Sequence, residues 1–342
     1  MKLIIQIPCY NEEATLGVTI ADLPRHIDGI DEIEYLIIDD GSTDRTVEIA
    51  RSLGVQHIVH FAKNKGLAKG FMAGLDASLR AGADIIVNTD ADNQYCGADI
   101  EALIRPILEG KADFVVGERP IDETAHFSPI KKKMQHLGSW TVRVASKTRI
   151  PDAPSGFRAL SREAALRVNV TNPYTYTLET IIQAGHNRTA IDSVKVRTNP
   201  ELRKSRLFHS MIGYIKRSMV TILRSFMMYK PLSFFGIIGG ICIIAGLALG
   251  IRFLVYLGLG EGTGHVQSLI LTAILLLMGF MTIVIGLQAD IIAANRKILE
   301  DIQYHVRRTD YEVSRMKEEA DEGKKTDLAD AIEKNDRESK TQ

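Results

Sequence analysis

Two stretches late in the chain carry no charged side chain: the 20 positions between Pro231 and Arg252, and the 22 from Val266 to Leu287. Each is near the roughly 20 residues a helix needs to cross about 30 Å of hydrocarbon, so each is predicted to be a transmembrane helix. Their flanks set an orientation. Lys216, Arg217, Arg224 and Lys230 precede the first run, and Arg296, Lys297 and Arg307 follow the second. The connecting "GLGEGTGHV" has neither Lys nor Arg, so both flanking ends are expected on the cytoplasmic side of the cell membrane. Arg252, late in the first run, is expected to snorkel toward the far interface. No signal peptide is expected, since Met1 runs directly into the strand-like "KLIIQIP".

Ahead of these runs, up to about Asn199, short apolar runs alternate with amphipathic stretches in the proportions of a soluble domain large enough for a substantial core. The chain's 42 basic and 42 acidic side chains cancel, so net charge says nothing about nucleic acid, and no nucleic-acid partner enters the expected function. Cys9, Cys96 and Cys242 are odd in number and lack metal-ligand spacing, which suits reduced thiols better than a disulfide framework.

Apolar runs at Leu3 to Ile7, Tyr35 to Ile38, His57 to Phe61, Ile85 to Val87 and Phe114 to Val116 read as strands. Helical patterns at Glu13 to Leu23, Asp44 to Leu53, Leu67 to Ala81 and Ala98 to Leu108 lie between them. This alternation predicts an α/β fold, a mainly parallel, Rossmann-like sheet with helices on both faces, whose ligands sit beyond the carboxyl ends of the strands. Polar clusters lie at those ends. "PCYNEE" follows the first strand, and in "IIDDGSTDRT" Asp39 and Asp40 end the second, Gly41 permits a tight turn, and Ser42 or Thr43 can cap a helix. Singly, each cluster is ordinary strand-to-helix punctuation. Neither a GxxxxGK[ST] loop nor a strand-borne GxGxxG is present, which disfavours P-loop and dinucleotide sites. An acidic loop end suits a nucleotide held by its nucleoside half.

In "VNTDADNQY" the fourth strand delivers Asp90. Side chains of an extended chain repeat with period two, so Asp90, Asp92 and Gln94 are expected to converge on one point. Two carboxylates and an amide are hard oxygen ligands that suit Mg²⁺ or Mn²⁺ bound together with substrate phosphates. The plain alternative is a solvated acidic turn. A DxDxQ behind a fourth strand, downstream of two other polar strand ends, is more specific than DxD alone.

"IPCYNEE", "IIDDGSTDRT", "NKGLAKGFMAGL", "NTDADNQY", "VVGERP" and "SGFRAL" together resemble the successive signatures of the family 2 glycosyltransferases of GT-A fold. Within that family the chain is most similar to the polyprenyl-phosphate glycosyltransferases, such as the dolichyl-phosphate mannose synthases and the bactoprenol glucosyltransferases with two C-terminal membrane helices. The resemblance spans roughly residues 2 to 290. It implies that Pro8, Tyr10, Glu12 and Asp39 or Asp40 hold the nucleoside, and that Asp90, Asp92 and Gln94 hold the metal and pyrophosphate. Which of Asp39 and Asp40 meets the base stays open, because neighbours in a strand point opposite ways.

The implied reaction is inverting transfer of one sugar from a nucleotide sugar, such as UDP-glucose or GDP-mannose, to undecaprenyl or dolichyl phosphate. Charge builds on the departing nucleoside diphosphate, and a divalent cation lowers that barrier. A lipid monophosphate is already ionised at neutral pH, so it needs cations to hold it rather than a general base. Arg119 in "VVGER" and Arg158 in "PSGFR" fall in motifs the family uses around phosphates, and with Asp92 they form the expected catalytic set. Related synthases often carry a lysine before the membrane helices where this chain has Arg206, which is therefore expected to bind the acceptor phosphate with a planar fork in place of a point charge. The Lys131 to Lys133 triplet reads as a solvated face or lipid-headgroup contact, and Glu179 as a supporting helix residue.

Between Arg203 and Lys230 stand seven basic residues and no acidic one. Leu207, Met211, Ile215, Met219, Ile222 and Phe226 recur there at spacings of three and four. This is the pattern of a helix lying on anionic membrane lipids. The expected organisation is a cytoplasmic catalytic domain over 1–200, interface helices over 201–231, two membrane helices over 232–289, and a helix and polar tail over 290–342, solvated or disordered from about Lys317. Gly236 with Gly240 and Gly246 with Gly250 form two GxxxG pairs, a surface that suits either packing against the second span within the chain or a homo-oligomer held through the membrane helices, the latter being the expected assembly.

Two other readings compete. A transferase acting on a glycolipid hydroxyl, or a processive polysaccharide synthase, is one; the latter is expected to show QxxRW and more spans, whereas "QHLGSW" at Gln135 to Trp140 lacks the arginine. A non-enzymatic membrane protein retaining the fold is the other, against which the intact DxDxQ argues.

Overall fold

The computed structural model describes residues 1–120, 143, 146, 148–170, 176–200, 220, 223–224, 227, 229–260 and 266–339, the last 23 of these by backbone alone. The chain forms two compact units: Met1–Ile215 together with Asp301–Gln342, and Lys216–Glu300.

The first unit is built on a seven-stranded sheet. In chain order its described elements are β1 (Lys2–Cys9), α1 (Leu16–Asp22), β2 (Glu32–Asp39), α2 (Thr46–Ser52), β3 (His57–His60), α3 (Leu67–Arg80), β4 (Ile85–Asn88), α4 (Ile100–Leu108), β5 (Phe114–Glu118), β6 (Arg158–Ser161), α5 (Arg162–Arg167), α6 (Thr177–His186) and β7 (Ile191–Lys195). The strand order is β3-β2-β1-β4-β6-β5-β7. β1 pairs in parallel with β2 and β4, β2 with β3, and β5 with β7, while β6 runs antiparallel between β4 and β5.

The physical reason is legible in burial. β1 and β4 are central and covered on both faces, so Leu3, Ile5, Ile7, Ile85 and Val87 read as near-continuous apolar runs. The edges β3 and β7 are only half-buried. β7, "IDSVK", carries polar residues accordingly, and β6, "RALS", is only four residues long. Both therefore fall below what periodicity detects, whereas the five strands and four helices expected from sequence stand within a few residues of their predicted bounds.

The second unit contains α7 (Pro231–Gly258) and the start of α8 (Val266–Ser339). Both are long and apolar enough to cross a membrane, and in their most apolar windows only 11% and 17% of residues are buried, so neither is the core helix of a soluble domain. Ile241 and Ile244 are 63% and 69% exposed. The two helices meet through glycine: a Cβ on Gly239 would lie 2.8 Å from the Gly279 carbonyl oxygen, and one on Gly246 would lie 3.2 Å from Leu275 and Leu276. Gly246 and Gly250 therefore face α8 within the chain, while among the described residues nothing lies within 4 Å of a Cβ on Gly236 or Gly240. One GxxxG pair is spent intramolecularly, and only the other is open.

α8 continues without a break past Lys317 to Ser339, so the backbone of the tail expected to be solvated or disordered is helical. Its segment from Asp301 belongs to the first unit and docks against α3 and α5. Tyr304 donates to the Glu163 carboxylate at 3.0 and 3.1 Å, beneath the Arg167 guanidinium. Arg307 pairs with Asp76 at 3.2 Å, and Tyr311 stacks under Arg162 at 4.6 Å. The stripe 304, 307, 311 is one helix face. The predicted interface segment from Arg203, Arg206 included, falls largely outside the described residues, as do Lys131 to Lys133 and Gln135 to Trp140.

Candidate active site

Parallel strands β1, β2, β3 and β4 end at one edge of the sheet, and their loops interlock there. The β1 and β2 loops are joined first. Asn11, left-handed at φ 55°, donates its N–H to Ser42 Oγ at 2.9 Å and accepts from Thr43 N–H through Oδ1 at 2.8 Å. Glu12 N–H donates to Thr46 Oγ1 at 2.9 Å, and its buried carboxylate accepts from Thr15 Oγ1 at 2.9 Å. Gly41, at φ +75°, lies so close to the Lys63–Asn64 backbone that a Cβ would sit 2.7–2.8 Å away, so only glycine fits both the angle and the space.

The two adjacent aspartates have different partners. Asp40 accepts from the Lys65 and Gly66 N–H groups at 2.6 and 2.9 Å, so both its oxygens hold the β3–α3 loop. Asp39 accepts from Ser42 N–H at 3.2 Å and pairs with His60 Nδ1 at 2.6 Å. His60 stands opposite Asp39 in the parallel register and is half-exposed, while Asp39 is fully buried beneath it. Pro8 lies at the end of β1, and Tyr10 beside it is 42% exposed.

β4 stops at Asn88, and the chain turns immediately afterwards. Asp92 Oδ1 accepts from Gln94 N–H at 3.2 Å, and Asn93 is left-handed at φ 56°. The expectation that Asp90, Asp92 and Gln94 line one side of an extended chain is thereby corrected: a side-chain-to-backbone turn replaces the strand, and period two stops applying. Asp90 and Asp92 still share one loop. Gln94 is tied down by backbone, its carbonyl accepting from Asn199 N–H at 2.9 Å.

Asp90 packs over Gly156, where a Cβ would sit 3.1 Å from each carboxylate oxygen and 3.2 Å from the Tyr176 hydroxyl. Behind it lies a buried polar chain. Gln6 Nε2 donates to Asn88 Oδ1 at 2.9 Å, and Asn88 Nδ2 donates to the Gly156 carbonyl and the Tyr176 hydroxyl at 2.9 and 3.0 Å. Gly156 N–H donates to the Tyr95 hydroxyl at 3.0 Å. Burial pushes the Tyr95 phenol up to about 12 and the Tyr176 phenol further, so both stay protonated at neutral pH.

The two predicted arginines part company. Arg119, 15% exposed at the end of β5, is held in a two-point pair by buried Asp152, with Nε and Nη2 at 2.7 and 2.9 Å. Burial works against its charged form, but Tyr95, Asp152 and Asp90 outweigh that and raise its pKa. Arg158 is fully buried. Its Nε and Nη2 donate to the Ser155 and Ala153 carbonyls at 2.8 and 2.9 Å, and its Nη1 to Thr180 Oγ1 at 2.5 Å. With each nitrogen engaged inward, Arg158 braces the 152–157 loop against α6 in a buried position, whereas it is expected from sequence at the acceptor phosphate. Burial pulls it down to about 10, which leaves it charged at neutral pH. Glu179 is buried on α6, in keeping with a supporting position.

Sequence reasoning passed over His60, Asn88, Asp152, Gly156 and Tyr176. Three of them carried a usable signal: Asn88 lies inside "NTDADNQY", Gly156 inside "SGFRAL", and His60 ends a strand whose neighbour ends in Asp39. The fit of a divalent cation rests on the donor set. Among the described residues no three His, Cys, Asp or Glu side chains converge as a cage. The loop instead offers the two carboxylates of Asp90 and Asp92, the pattern of a Mg²⁺ or Mn²⁺ ion that takes its remaining ligands from substrate phosphates.

This architecture has counterparts of known identity. Residues 4–168, from β1 to the end of α5, match the model of glycosyl transferase family 2. The UDP-N-acetylglucosamine–dolichyl-phosphate N-acetylglucosaminyltransferase of Methanococcus voltae is 31% identical over 237 residues, covering 62% of this chain and 92% of that one. The chain belongs to glycosyl transferase family 2. Within it the similarity extends to the undecaprenyl-phosphate mannosyltransferase of Micrococcus luteus, 28% identical over 46% of this chain and 66% of that one. The fold itself recurs in glucosyl-3-phosphoglycerate synthase of Mycobacterium tuberculosis, solved with Mn²⁺, UDP and glucosyl-3-phosphoglycerate. It superposes with a TM-score of 0.51 at 18% identity, over 66% of this chain and 78% of that one.

Proposed function

We propose that the protein moves one sugar from a nucleotide sugar to a polyprenyl phosphate at the cytoplasmic face of a membrane, with inversion at the anomeric carbon. The observation that carries this reading is the meeting, at one sheet edge, of the Asp39 loop, the Asp90–Asp92 loop and the Arg119–Asp152 pair, in a chain that also carries two exposed apolar helices.

Tyr10, Pro8 and Glu12 flank the nucleoside, with Asp39 held toward the base by His60 and Ser42, while Asp40 keeps the neighbouring loop in place. Asp90 and Asp92 would hold Mg²⁺ or Mn²⁺, with Gln94 completing the turn. The ion, when bound, stabilises the negative charge growing on the departing nucleoside diphosphate. Arg119, fixed by Asp152 and permanently charged, holds the acceptor phosphate with Arg206. The acceptor oxygen is already anionic, so no side chain need remove a proton, and attack opposite the leaving group inverts the sugar. Basic residues from Arg203 to Lys230 rest on anionic lipids, and α7 and α8 anchor a homo-oligomer through the open Gly236–Gly240 face.

Purified protein incubated with radiolabelled UDP- or GDP-sugars and short polyprenyl phosphates tests the assignment. A single-sugar, chelator-sensitive lipid product is expected. Polymer, transfer only to glycolipid hydroxyls, or no transfer with any donor overturns it.

A further inference from the structure

We propose that Asn88, Gly156 and Tyr176 form a positioning unit that fixes the direction of the Asp90 carboxylate toward the divalent cation. The inference rests on the cation site of the preceding section. Asn88 is fully buried at the last position of β4, two residues before Asp90. Its amide is oriented by Gln6, so its Nδ2 donates both to the Gly156 carbonyl and to the Tyr176 hydroxyl. A phenol that accepts such a bond directs its own proton elsewhere. The Gly156 carbonyl, at 3.5 Å, is at the limit of a hydrogen bond for it. Both Asp90 oxygens and this hydroxyl lie within 3.1–3.2 Å of the point a Gly156 Cβ would occupy. Carboxylate and phenol thus both border a space slightly too tight for a methyl group, open because residue 156 is glycine.

Everything around that space is fixed. The Gly156 peptide is held at both ends, its N–H by Tyr95 and its C=O by Asn88. The Tyr176 ring stacks on Phe71 at 3.9 Å and 6°, beneath the Arg158 guanidinium at 5.4 Å, and Arg158 is itself tied to Thr180 one turn along α6. Buried Arg158 thereby acts on the site through Tyr176. Partners that orient metal-binding carboxylates typically set affinity by 10- to 100-fold, roughly.

The test uses the full chain in detergent, titrated with Mn²⁺ in the presence of UDP and followed by the electron paramagnetic resonance of free Mn²⁺. UDP affinity in chelator is measured in parallel. Tyr176→Phe keeps the stacked ring and removes only the hydroxyl; Gly156→Ala crowds that space. Each is expected to weaken Mn²⁺ binding about 10-fold, with chelator-state UDP affinity close to wild type. Wild-type Mn²⁺ affinity in either variant overturns the inference, as does an equal loss of UDP affinity in chelator by Tyr176→Phe, which marks a merely structural role. Asp90→Asn separates the two levels. Should it bind Mn²⁺ as wild type does, the cation site itself is wrong and the positioning unit falls with it.

Discussion

Asp92 sits in a turn, with one oxygen accepting from Gln94 N–H, so its replacement by Asn keeps a turn-forming acceptor and removes only the charge. Asp92→Asn is therefore expected to lower turnover by about 100-fold or more, the scale of losing one aligned electrostatic contact to the transition state, while circular dichroism stays unchanged. Near-normal turnover in chelator-treated variant would refute the assignment. Arg119 and Asp152 make a different case, because one is the partner that keeps the other buried. Asp152→Asn leaves a largely desolvated guanidinium without its counter-charge, at a cost of about 3 kcal/mol in stability. Arg119→Ala is expected to raise the KM for polyprenyl phosphate chiefly. Calorimetry with nucleoside diphosphate and metal should show donor binding little altered; loss of that binding would move Arg119 to the donor side.

At the scale of elements, the segment of α8 from Asp301 behaves as part of the first unit. Tyr304 and Tyr311 are buried against α5, and Arg307 reaches Asp76 on α3. Tyr304→Phe removes the hydroxyl that donates to Glu163 and is expected to cost about 1 kcal/mol, read as a fall of roughly 2–4 °C in melting temperature. An unchanged melting curve would show that the ring stacks alone hold the helix. The α7–α8 pair rests on close backbone approach, with Gly239 against Gly279. Gly239→Leu cannot be accommodated there without separating the helices, whereas Gly236→Leu meets open space. Limited proteolysis in detergent should distinguish them, with faster cleavage in the first variant only.

For the whole molecule, the proposed oligomer rests on the Gly236–Gly240 face of α7, which nothing among the described residues covers. Gly236→Leu with Gly240→Leu is expected to shift the detergent-solubilised particle toward monomer in light scattering. A wild-type protein that is monomeric in both mild detergent and nanodiscs would rule the oligomer out. Gly246 is a poor probe of assembly, because a side chain there strikes Leu275 and Leu276 of the same molecule.

The linear sequence by itself determined the parts governed by local periodicity. The buried strands β1, β2 and β4, the four early helices and the two apolar runs each repeat a pattern over enough residues to be read without neighbours, and the acidic loops follow because they begin where those strands stop. Only tertiary structure decided what pairs across sequence. Asp39 and Asp40 differ because His60 and the Lys65–Gly66 amides approach from another strand and loop. Arg119 and Arg158, equal as motif arginines, differ because Asp152 meets one near the surface while Ser155, Ala153 and Thr180 enclose the other. β6 and β7 become strands because neighbouring edges offer them hydrogen bonds, a long-range gain that their own polar, short sequences do not announce.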